Sequence, residues 1–123
     1  MTYAKQRSNK QILDLIETME EGVDYVKVKL GELNIEGTVI ILTDLITAFI
    51  EIEKNILSMM RELPENKIKE KTEQLRTAFD TMVKEYETSK GQRAYEIIQF
   101  TLEPSFKQWK DELENILKPY ILS

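Results

Sequence analysis

The sequence predicts an all-α fold: an antiparallel four-helix bundle whose fourth helix is kinked or broken near Pro104. Three observations predict it. Two successive segments each place seven apolar residues at alternating intervals of three and four, Gly- or Pro-marked corners separate the long periodic stretches, and 123 residues suit one domain. The expected helices cover about 9–34, 39–63, 65–88 and 91–118.

In the first helix, Ile12, Ile16, Met19, Val23, Val26, Leu30 and Leu33 form one stripe. Ser8 followed by Gln11 supplies a capping box at its start. The stretch YVKVKLGELNIEGTVIIL, residues 25–42, challenges this reading, because its first half alternates apolar and charged residues as a strand does. A hairpin there truncates both stripes and needs the long GELNIEG connection, whereas favoured hairpin loops have about two to five residues. A helix corner preserves both stripes. It places a turn near Asn34 to Thr38, with Gly37 taking the left-handed conformation after one helix and Thr38 capping the next. That choice has a cost: Gly31 inside a helix loses about 1 kcal/mol relative to Ala, and Val26, Val28, Val39, Ile40 and Ile41 are middling helix formers.

The second helix carries Leu42, Leu45, Phe49, Ile52, Ile56, Met59 and Leu63, and Pro64 closes it. The third starts at Pro64 or is capped by Asn66. Its stripe is Ile68, Leu75, Phe79, Met82 and Tyr86, with Thr72 in the one seam position that lacks an apolar residue. Its other faces are rich in Lys and Glu, a pattern that reads as a wet surface. Ser89, Lys90 and Gly91 mark the next corner, and Ser89 with Gln92 forms a second capping box. The last segment spaces Tyr95, Ile98, Leu102, Phe106, Trp109, Leu113, Ile116 and Tyr120 by three or four. Pro104 either kinks one helix or separates two, and Ser105 with Gln108 suits a new start in the second case. Lys118-Pro119 stops the helix, with the lysine near the C-terminal dipole.

Composition narrows the chemistry. A formal charge of −5 and a pI near 4.9 give no general attraction to nucleic acid or anionic membranes. Cys and His are both absent, which removes disulfides, thiolate metal sites, imidazole acid–base catalysis and the His-containing di-iron site of some bundles. No run approaches the roughly 20 apolar residues of a membrane span, and the start lacks the apolar region of a signal peptide. The expected location is the cytoplasm.

Two surfaces stand out. On the second helix, Val39, Ile46, Ile50 and Leu57 widen the apolar arc to about half the circumference. Either this helix simply buries more against two neighbours, or the added arc meets a second polypeptide. In the last segment, Phe106 and Trp109 share one face, as core anchors or as the border of an aromatic groove opened by Pro104 and joined by Phe100 and Tyr120. Tyr25 and Val28 lie off the first stripe as scattered surface residues, and Gly22 beside it permits close helix approach. Asp14, Glu17, Glu21 and Asp24 form an acidic strip that reads as a solvated face.

In helix number the outline resembles small cytoplasmic helical adaptors and secretion chaperones, with no motif carried over residue by residue. The expectation is a noncatalytic protein-interaction module, adaptor or chaperone-like, that needs no cofactor and meets another protein or its own copy. A structural homodimer and a small apolar-ligand binder are the alternatives.

Overall fold

The structure, a computed structural model, describes residues 3–59 and 65–120, with side chains described over 9–59 and 65–119. Three long helices, α1 (Tyr3–Gly31), α2 (Val39–Met59) and α3 (Ile68–Thr88), precede a composite fourth. That fourth helix consists of α4 (Ala94–Ile97), a π-helical turn (Ile98–Leu102) and α5 (Glu103–Leu117), so the fold is an all-α four-helix bundle. There is no strand among the described residues, and 25–42 is a helix corner. Leu63 and Pro64, expected to end the second helix, lie outside the described residues, as does the side chain of Tyr120.

The core follows the stripes. Ile12, Ile16, Met19, Val23, Val26 and Leu30 of α1 are buried against Leu42, Leu45, Phe49, Ile52, Ile56 and Met59 of α2 and the inner faces of the other helices. α1 packs closely on α2 and also on α5, while α3 packs on α5. At Gly22 the approach of α1 and α2 is tight, since a Cβ there would lie 2.9 Å from Leu45 Cδ2. Between α1 and α5, Glu20 accepts from Lys110 at 2.6 Å and Lys27 pairs with Glu103 at 3.1 Å.

An aromatic cluster joins the remaining helices. Phe49 of α2 lies 5.4 Å from Phe79 of α3 and 5.4 Å from Trp109 of α5, and Phe106 lies 6.0 Å from Trp109, all at tilted angles that suit the ring quadrupoles. The indole N–H of Trp109 donates to Thr72 Oγ1 at 3.1 Å. Thr72 therefore occupies its seam position as the acceptor for a buried donor, where an aliphatic residue would leave that N–H unpaired.

Several local expectations are corrected. α1 starts at Tyr3, so Ser8 is inside the helix rather than at its cap. Leu33 leaves the stripe: it is 87% exposed with φ 62° and ends α1 in the position where glycine is usual. Asn34 N–H donates to Lys29 O and Leu33 N–H to Leu30 O, the two hydrogen bonds of a Schellman motif. Gly37 is not left-handed. Its N–H donates to Asn34 Oδ1 at 3.0 Å, so Asn34, not Thr38, opens the winding that passes through a 3-10 turn (Glu36–Thr38) into α2.

α3 begins at Ile68, whose N–H is capped by Asn66 Oδ1 at 2.9 Å. The fourth helix starts at Ala94, and the buried Glu85 of α3 caps it by accepting from Arg93 N–H at 3.0 Å, in place of the expected Ser89–Gln92 box. Ala94, not Tyr95, joins the core. The buried positions Ala94, Ile98, Leu102 and Phe106 then advance by fours, a spacing that drifts about 40° per step round an α-helix. The π turn absorbs this drift, with Glu103 N–H donating to Ile98 O five residues back. Pro104, which has no N–H to place in the ladder, follows directly in the first turn of α5, so the fourth helix is interrupted in its winding rather than separated.

Replacing Thr72 by Val keeps the shape and removes the oxygen. The expected loss of stability is about 1–3 kcal/mol by urea denaturation, the penalty of an unsatisfied buried donor, with Thr72→Ser retaining most of it.

Candidate functional site

The second apolar stripe of α2 follows from helical geometry. Val39, Ile46, Ile50 and Leu57 lie about 100° round the axis from the centre of the core stripe. Ile46 is partly buried, whereas Val39 is 47%, Ile50 44% and Leu57 60% exposed. All four border α3. Val39 lines a solvent-open hollow of about 660 Å³ with Tyr86, Glu87 and Lys90 at one end of the bundle. Leu57 lines a cleft of about 170 Å³ with Ile68, Lys69, Thr72 and Arg76 at the other.

Between these ends Arg76 acts as a strut. It pairs with Glu53 of α2, and its guanidinium carbon lies 6.0 Å from the Phe49 ring centroid, covering the aromatic cluster from outside. Thr43 and Thr47, beside the stripe, return their hydroxyls to the carbonyls of Val39 and Thr43 at 2.9 and 3.0 Å. Their hydrogen-bonding capacity as donors is met within α2. A partner can thus cover this flank without stripping water from an unmet hydroxyl proton.

The corner end is fixed by a polar chain. Thr38 Oγ1 donates to Ile35 O at 2.6 Å, so the Tyr86 O–H, 2.5 Å away, donates to Thr38 Oγ1. Ile35 packs on Gly91, where φ is +78° and a Cβ would lie 3.0 Å from Ile35 Cδ1. Glycine satisfies both the conformation and the contact. Burial raises the Tyr86 pKa, partly offset because the Thr38 hydroxyl can turn to donate to the phenolate once it forms.

Of the residues singled out in sequence, Val39, Ile46, Ile50 and Leu57 are brought together on one flank. Phe106 and Trp109 are core anchors, both fully enclosed, and packed rings stand where the alternative reading places an aromatic groove beside Pro104. Phe100 projects alone to solvent from the π turn, and Tyr25 and Val28 are exposed on α1. Asp14, Glu17, Glu21 and Asp24 are all exposed, and among the described residues no group of three or more carboxylates is placed to hold a metal ion. The Arg76–Glu53 strut and the Glu85 cap were not anticipated. Only helical phase relates Arg76 to α2, and nothing in the local pattern distinguishes Glu85 from its charged neighbours.

These features define a helical-bundle domain with an apolar flank on its second helix. Residues 8–112 match the family described as "Domain of unknown function (DUF8042)", and the chain belongs to that family. No match was found among curated proteins or among solved structures.

The raised pKa of Tyr86 gives a pH dependence. An unfolded tyrosine ionises near pH 10, while the folded protein holds this proton to higher pH, so stability declines as pH rises from about 10 through the folded value. Lys110, raised chiefly by its hydrogen bond to Glu20, changes stability in the same direction. Denaturant midpoints should fall above about pH 10, less steeply in Tyr86→Phe, and ultraviolet titration of that variant should lose one late-ionising phenol.

Proposed function

We propose that the chain is a noncatalytic protein-interaction module, adaptor or chaperone-like, that works in the cytoplasm and offers the outer flank of α2 to another polypeptide. The observation that carries this reading is the row Val39, Ile46, Ile50 and Leu57, which extends about 27 Å along one helix with three of its members substantially exposed. Core closure by six other residues of α2, with Ile46 packed partly against them, leaves Val39, Ile50 and Leu57 without a packing duty that requires apolar character. An aligned apolar row on a rigid helix is a surface suited to an amphipathic helix or a second bundle. Among the described residues no helix is long and apolar enough to cross a membrane.

A small apolar ligand fits the geometry less well. The cleft at Leu57 holds about 170 Å³, below the roughly 300–1,000 Å³ of ligand pockets, and the larger hollow is bordered by Glu36, Glu87 and Lys90.

Co-purification from native lysate tests the module. Partners retained by the wild type and by Val28→Glu should be lost from Ile50→Glu and Leu57→Glu, with circular dichroism showing each variant folded. An identical partner set across all folded variants would count against this flank.

A further inference from the structure

The exposed row of α2 has the same order from either end. Val39 precedes Ile46 by seven residues and Ile50 precedes Leu57 by seven, so the row is symmetric about position 48. Reversing α2 about that point sets Val39 opposite Leu57 and Ile46 opposite Ile50 of an identical helix. The neighbouring flank of α3 carries Lys69, Glu73 and Arg76 in its first half and Asp80 and Glu87 in its second, all exposed, with Arg76 already paired to Glu53 of α2. Reversal about position 78 sets Lys69 opposite Glu87 and Arg76 opposite Asp80.

Both midpoints lie at nearly the same level of the bundle, because Phe49 of α2 meets Phe79 of α3 at 5.4 Å. A single two-fold axis, lying in the contact plane and crossing both helices, therefore sets apolar row against apolar row and Lys69, unpaired among the described residues, against Glu87, with Glu73 falling opposite Val83. The other in-plane axis, parallel to the helices, would put the apolar row of α2 against the charged row of α3. Isologous association requires a surface complementary to itself, and a surface for an unrelated partner does not.

We infer that the occupant of this face is a second copy of the chain, packed about a two-fold axis that sets α2 antiparallel on α2 and α3 antiparallel on α3. The inference rests on reading the face as an interaction surface. Lys69 and Glu87 form no ion pair among the described residues and are free to pair across the interface. The apolar row supplies the buried centre, and the charges fix register and orientation.

Sedimentation of the full chain over a range of concentrations tests this arrangement with five proteins: the wild type, Lys69→Glu, Glu87→Lys, the double swap and Ile50→Glu. The wild type should dimerise. Each single reversal should weaken association about tenfold, since two symmetry-related pairs become repulsive, and the double swap should restore it. Ile50→Glu should sediment as a folded monomer. A wild type that stays monomeric to millimolar concentration overturns the self-association, and the co-purification series then decides the broader module reading independently. A dimer indifferent to the single reversals, or one not restored by the double swap, overturns the two-fold geometry.

Discussion

The hydrogen bond from Trp109 to Thr72, set among the rings of Phe49, Phe79 and Phe106, is the constraint on which the bundle's arrangement depends. The largest side chain in the core brings a polar N–H into an apolar interior, and such a donor must find an acceptor. Thr72 supplies it from α3. The bond therefore fixes α5 against α3 in rotation as well as distance, which dispersion among aliphatic side chains does only loosely. Phe49 then enters from α2 against both Phe79 and Trp109, so three helices share one rigid centre.

The end of the bundle that contains both described corners is fixed by different means. Leu33 and Lys90 each adopt positive φ, a conformation unfavourable to residues with a Cβ by roughly 1 kcal/mol or more. Contacts between the corners offset this: Ile35 seats on Gly91, Tyr86 reaches Thr38, and Glu85 caps the start of the fourth helix. The orientation of α2 is thus set at its first turn by the corner and near its middle by Phe49. Its outer flank is consequently presented in one orientation, a condition for any surface that must complement another shape.

Helical phase made most of this legible. The α1 and α2 stripes depend only on residue spacing, and every described member but Leu33 is buried. Leu33 departs because helix termination at a Schellman turn reverses the chain just where periodicity still counts a residue inward. The fours from Ala94 to Phe106 were present in the sequence, yet an intact α-helix counted from Tyr95 accommodates nearly the same residues. Distinguishing the π turn requires knowing that Ala94 faces the core. Val39, Ile46, Ile50 and Leu57 could be grouped from α2 alone, but their placement beside α3 depends on tertiary register. Phe106 and Trp109 had the same apolar signature whether they lined a groove or filled the centre, and only burial separates these cases.

Core and surface are coupled through that register. The apolar symmetry of α2 belongs to its own spacing, and the charge reversal along α3 belongs to another helix, so neither determines their relative height. The Phe49–Phe79 contact does. Sliding α3 by one helical turn, about 5.4 Å, would leave both rows intact while separating their midpoints, and no single two-fold axis could then satisfy both. Thr72 opposes the slide, because it would carry the acceptor away from Trp109. The polar contact that specifies the interior thereby also brings two independent surface patterns into a common frame, which makes the aromatic centre a determinant of how this face can associate.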